Sequence, residues 1–297
     1  MNPRHRRMLI PGLLIALLVI VAVASLTGRA DASEPVSTIG DPRITESSGL
    51  AVSAAHDDLA YTLNDSGHEP LVFAVRISTG DTVGVTRLAG VDVVDPEAIA
   101  LHAGRLWVAD TGDNAATRND IALLAFDEPG PGDHVVRPDR HPVRLEESAD
   151  VEALLIQPRD GSIFLVTKSI GAADVYRADA TTPLNFQRTD LVAPPVVTDG
   201  AFAPDGSSIA LVSYLGIHVL DPVSWEVRAS LPLPPLEQAE SLAFVDPGTV
   251  LVGSEGSDSP LFAVALPAAP IAVAAFAAMP AAGLALVLAL FRSLSLR

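Results

Sequence analysis

Cysteine is absent from all 297 residues. Thiol catalysis, disulfide crosslinks and Cys-based metal sites are therefore excluded, and any exported fold must rest on its apolar core. Lysine occurs once, at Lys168, against eighteen arginines. The sequence also has no G-x-S-x-G elbow, no H-E-x-x-H pair and no P-loop, so three familiar catalytic chemistries have no motif to stand on. His56, His68, His102, His134, His141 and His218 are scattered without ligand spacing. Tryptophan occurs twice, as Trp107 and Trp225, both at apolar strand positions that suit packing better than recognition. Helical periodicity is missing throughout the middle of the chain, which argues against an α or α/β fold.

Hydrophobic residues, by contrast, reach 49% with a mean hydropathy of +0.36. Much of that excess sits at the two ends. Arg4, Arg6 and Arg7 precede the apolar run Met8 to Leu26, and Ala30 and Ala32 follow, so residues 1–32 read as a signal peptide or an uncleaved signal anchor. Ala269 to Phe291 is a run of 23 residues without a charge, followed by Arg292 and Arg297. Residues 268–297 are thus expected to form a transmembrane helix with a short basic cytoplasmic tail. This places residues 33–267 outside the cytoplasm, tethered to the cell membrane.

That middle region carries 13 basic against 35 acidic side chains, a net charge of −22. Such a surface repels nucleic acid and anionic lipid and attracts cations.

Short apolar runs separated by Gly, Pro, Asp and Ser mark the region as all-β. Five of them open a repeated unit: "SGLAVS" at Ser48, "EAIALH" at Glu97, "EALLIQ" at Glu152, "DGAFAP" at Asp199 and "ESLAFV" at Glu240, offset by 49, 55, 47 and 41 residues. Those spacings suit the four-stranded blades of a β-propeller. Each opening strand is followed by a turn, a second strand ("LAYTLN", "RLWVAD", "SIFLVT", "SIALVS", "TVLVGS") and a third. Four units add a fourth strand, read as "GVTRLA", "HPVRLE", "FQRTDLV" and "EVRASLP". The fifth lacks one, and the strand-like piece from Glu34 to Ile44 is left over. Pairing the two closes the ring without an open edge. The sequence thus predicts a single five-bladed propeller, with six blades as the alternative because the second unit is long, and with a two-layer sandwich as the competing arrangement.

In a propeller, the loops entering each inner strand share a face with the loops between the second and third strands. The entry positions are Glu46/Ser48, Asp95/Glu97, Asp150/Glu152, Asp199 and Glu240, and the other loops include "NDSGHE" and "DTGDN". Carboxylates crowded round a channel mouth cannot all stay ionised uncompensated. Two readings are open. A hard cation such as Ca²⁺ neutralises them, or each carboxylate accepts backbone N–H groups that tie blades together. His68 and Lys168 fall on the same face, the first as a candidate base or ligand contact, the second as a candidate anion binder or ion-pair partner.

The segments "SSGLAVS" (Ser47 to Ser53), "YTLNDSG" (Tyr61 to Gly67), "DPEAIAL" (Asp95 to Leu101) and "LWVADTGDN" (Leu106 to Asn114) resemble exported bacterial, especially actinobacterial, propellers of WD40-like, phytase-like and SMP-30-like type. The resemblance implies a functional face at the channel mouth that binds divalent metal, in some relatives hydrolysing phosphate esters or lactones. Positions matching that mouth are Asp65, Glu97, Asp110, Asp113, Asn114, Glu152, Asp199 and Glu240. A phosphate substrate needs cationic partners, and the mouth loops offer only Lys168 and Arg118. The expectations are therefore a membrane-tethered module that binds a protein or cell-envelope ligand around a structural cation, or a metal-dependent hydrolase.

Overall fold

The computed structural model describes residues 34–178 and 184–267. Both expected membrane segments lie outside the described residues. Among the described residues, no helix is long and apolar enough to cross a membrane.

Among the described residues, twenty strands form five four-stranded antiparallel blades, and one further strand joins the first blade in parallel. Blade 1 comprises β2 (Ser47–Val52), β3 (Leu59–Asn64), β4 (Leu71–Arg76) and β5 (Thr82–Leu88). Blade 2 holds β6 (Pro96–His102), β7 (Arg105–Asp110), β8 (Ala122–Asp127) and, outermost, β10 (Asp139–Pro142). Blade 3 runs through β11 (Val151–Ile156), β12 (Ile163–Thr167), β13 (Ala173–Ala178) and β14 (Gln187–Ala193). Blade 4 follows as β15 (Val197–Phe202), β16 (Ile209–Ser213), β17 (Gly216–Leu220) and β18 (Val227–Leu231). Blade 5 is β19 (Ala239–Asp246), β20 (Thr249–Ser254), β21 (Ser259–Ala265) and β1 (Ser37–Ile39).

Inner strands are sandwiched between neighbouring blades, so both their faces are buried and they read as unbroken apolar runs. Outer strands such as β14 meet solvent and mix buried with exposed positions. The core is accordingly five apolar layers between blades, for example Leu63, Ile99 and Leu124 between blades 1 and 2 and Phe164, Leu211 and Trp225 between blades 3 and 4. Trp225 is a packing residue, tilted against Phe164 at 5.4 Å.

Ring closure follows the expected pairing. Ser37, Thr38 and Ile39 lie opposite Leu261, Pro260 and Ser259. Ile39 and Ile44 are fully buried in the layer between blades 5 and 1. Gly80, in the β4–β5 turn at φ 78°, seats this clasp, since a Cβ there would lie 1.9 Å from the Thr38 carbonyl oxygen.

Two details differ from the strand pattern. The outer strand of blade 2 starts and ends earlier than "HPVRLE", because after Pro142 the chain turns inward and buries Val143 against the layer shared with blade 3. The extra length of the second unit does not make a sixth blade. It forms β9 (His134–Val136), which crosses back to pair in parallel with β5, matching Thr86 to His134 and Leu88 to Val136.

Candidate metal centre at the channel mouth

All five inner strands share one irregularity. Near its start each shifts register by one residue, at Gly49, Glu97, Glu152, Thr198 and Glu240. A bulge of this kind bends the strand and re-aims the extra side chain. Blade 1 has no room for a side chain there: at Gly49 (φ 75°) a Cβ would sit 2.8 Å from the Ile99 nitrogen of blade 2. Blades 2, 3 and 5 place a glutamate at this position.

Glu97 is the hub. One of its oxygens lies within 4.8 Å of oxygens of Asp65 and Asp95, and it forms an equally tight trio with Asp150 and Glu152. Glu97 and Glu152 are 5% and 2% exposed, whereas Asp65, Asp95 and Asp150 are half-buried and face the mouth. Glu152 Oε1 is buried without a hydrogen-bond partner.

The "DTGDN" loop shapes this wall. Asp110 Oδ1 accepts the backbone N–H groups of Val94 and Asp95 at 3.2 and 2.9 Å, and Thr111 and Gly112 donate back to the Asp95 carbonyl. Asp113 accepts N–H bonds from Thr117 and Arg118, both at 2.8 Å, and gives its own N–H to Asp150 Oδ1 at 2.7 Å. Gly112 leaves a cradle, because a Cβ there would lie 2.3 Å from Glu97 Oε1 and 2.5 Å from Asp95 Oδ2. Asn114 is exposed at the loop's outer edge.

Opposite, Lys168 Nζ donates to Glu152 Oε2 at 2.9 Å and sits 5.3 Å from the centre of the Tyr214 ring. Tyr214 donates its hydroxyl to Glu240 Oε1 at 2.6 Å, and Gln238 Nε2 reaches the same oxygen at 2.7 Å. Glu240 is thereby satisfied within the protein.

Charge regulation follows burial. Glu97 is pushed far above the usual carboxylate range, first by burial and then by the charges of Glu152, Asp65 and Asp95. Glu152 is raised mainly by burial, with Lys168 pulling the other way. Asp95 is raised by burial and by a shared hydrogen bond with Asp65. Burial disfavours the Lys168 ammonium, yet Glu152 and Glu240 hold it firmly protonated.

No protein-family profile and no curated protein matches the chain. Solved structures do. Hydrazine synthase from Kuenenia stuttgartiensis shares 14% identity over 76% of this chain and 75% of its own, with a TM-score of 0.42. A luciferin-regenerating enzyme shares 11% identity over 78% of this chain and 96% of its own, with a TM-score of 0.45. At such scores neither likeness bears on activity.

Of the residues singled out in the sequence, the mouth brings together Asp65, Glu97 and Glu152. Asp110 and Asp113 are engaged in fixing loop backbone. Asp199 lies one residue beyond its bulge, fully buried, where it accepts N–H bonds from Gly200 and from Leu242 of blade 5, both at 2.7 Å. It is a blade clamp. Ser48, Thr111 and Thr198 do comparable work by donating hydroxyls to the carbonyls of Glu97, Val151 and Ala239. His68 is exposed and bonded to Thr45 Oγ1, with Glu46 Oε2 at 3.2 Å, on the outer rim. Asp95 and Asp150 belong to the cluster as fully as the glutamates. Their signal was the repeated D-x-E of Asp95-Pro96-Glu97 and Asp150-Val151-Glu152.

Proposed function

We propose that this chain is an exported, membrane-tethered propeller of a bacterial envelope. Its acidic mouth holds a divalent cation and presents it to an oxygen-bearing protein or cell-envelope ligand. One observation carries the reading: a nearly buried carboxylate, Glu97, is shared by two carboxylate trios. A cation relieves like charges so placed, and the Gly112 cradle, against Glu97 Oε1 and Asp95 Oδ2, fits one. All donors are carboxylate oxygens, which suits a hard ion such as Ca²⁺. Asp65, Asp95 and Glu97 would hold it; the ion would supply positive charge at the mouth and a point of attachment for an oxygen donor.

The described chain ends on the face away from the mouth. Leu266, at the end of β21, donates its N–H to Gly248 in the β19–β20 turn, on the face opposite the mouth.

Metal-dependent hydrolysis is the second reading. It is favoured by the half-exposure of Asp65, Asp95 and Asp150, which leaves one side of the site open to water. A panel of lactones, carboxylic esters and phosphate esters, assayed with Ca²⁺, separates the two. The module reading expects no turnover, and turnover abolished by Glu97→Gln would replace it with the hydrolase.

A further inference from the structure

The two trios that share Glu97 differ in one respect. Among the described residues no basic side chain is bonded to the carboxylates of Asp65, Asp95 and Glu97, whereas the trio of Glu97, Asp150 and Glu152 has Lys168 Nζ at 2.9 Å from Glu152 Oε2. Arg118, the other basic side chain of the mouth, is engaged by Asp110, Asp120 and the Gly112 carbonyl.

Lys168 is also fixed in place. Its backbone N–H donates to the Asp150 carbonyl at 2.9 Å, its ammonium lies over the Tyr214 ring, and the Tyr214 hydroxyl is tied to Glu240. The ammonium satisfies only one oxygen of Glu152. Oε1 of this carboxylate, which is 2% exposed, has no partner. A buried acceptor left open beside an ion pair marks a position with more negative charge than its lysine neutralises.

We propose that Lys168 is a built-in cation. Its ammonium stands in for a second divalent ion at Glu97–Asp150–Glu152 and restricts the mouth to one ion at Asp65–Asp95–Glu97. Coulomb repulsion between a fixed ammonium and a divalent ion sharing the same carboxylates opposes double occupancy. Removing the ammonium exposes an oxygen-only trio of the kind that hard cations take. The inference rests on the cation reading above, but it makes a separate claim about stoichiometry.

The test counts ions. Full-length chain in mild detergent is dialysed to equilibrium against Ca²⁺ at fixed ionic strength, and bound metal per chain is measured. Wild type should hold one ion, Lys168→Met two, and the double variant Lys168→Met/Glu152→Gln one again. Lys168→Arg retains the charge and should stay at one. Should Lys168→Met fail to fold, Lys168→Gln removes the same charge while keeping a polar side chain, and should likewise raise the count to two. A count that stays at one once the ammonium is removed overturns the proposal and leaves the cation reading intact. Wild type that binds none while Lys168→Met binds one overturns the cation reading for the native protein and supports the role of Lys168.

Discussion

Glu97 shows how a single residue makes the mouth polar, acidic and dependent on its surroundings. Without a cation, its carboxyl and that of Glu152 hold protons well above the usual range. Their contribution to stability is therefore fully present below about pH 4, and is lost as pH rises through neutrality. Glutamine does not titrate. In chelator, the melting temperature of Glu97→Gln should thus gain on that of wild type steadily from about pH 5 to 9, and parallel profiles would contradict the burial argument. His218 works in the opposite direction. Bonded to Ser213 and Ser230 and lowered by burial to about 4, it contributes stability above about pH 6.5 that is lost toward pH 4. Taking the difference between variant and wild type cancels it. At this scale the sequence was informative about residue type and imprecise about position. The acidic entries stood out, but the bulge lies one residue before Asp199, so the carboxylate that looked equivalent to Glu97 became a buried clamp while Thr198 took the bulge. Hydrogen bonding decided the roles of Asp110 and Asp113, and no spacing rule signals that in advance.

Among the elements, the short strand β1 has the largest consequence for its length. It covers the edge of β21 and places Ile39 in the last interblade layer, with Ile44 following. Each buried isoleucine is worth roughly 1.5–3 kcal/mol, and exposing a strand edge adds an aggregation risk. Removing residues 34–44 should lower the melting temperature by roughly 8–16 °C, on the order of 4 kcal/mol of lost stability converted at about 2–4 °C per kcal/mol. An unchanged melting curve would contradict closure by β1. The strands themselves were legible because interblade burial writes each inner strand as an apolar run and Asp-Gly or Ala-Gly turns punctuate them. β9 was not, because a three-residue, partly exposed strand pairing in parallel with a neighbouring blade has neither alternation nor a hairpin turn to announce it.

Taken whole, the molecule separates stability from charge. Five apolar layers hold the ring together, and carboxylates from several blades converge where the inner strands begin. The excess of 35 acidic over 13 basic side chains in residues 33–267 makes cation affinity a property of the entire surface, so screening by salt must be separated from specific binding. The measurement that does so most directly is thermal melting of the full chain in mild detergent. It is run after chelation and then with increasing Ca²⁺ at constant ionic strength, beside Glu97→Gln. A saturable rise in melting temperature for wild type, following mass action and absent from the variant, is the outcome expected of an ion held by the shared carboxylate. An equal response in both proteins, or none in either, would contradict the cation-binding mouth.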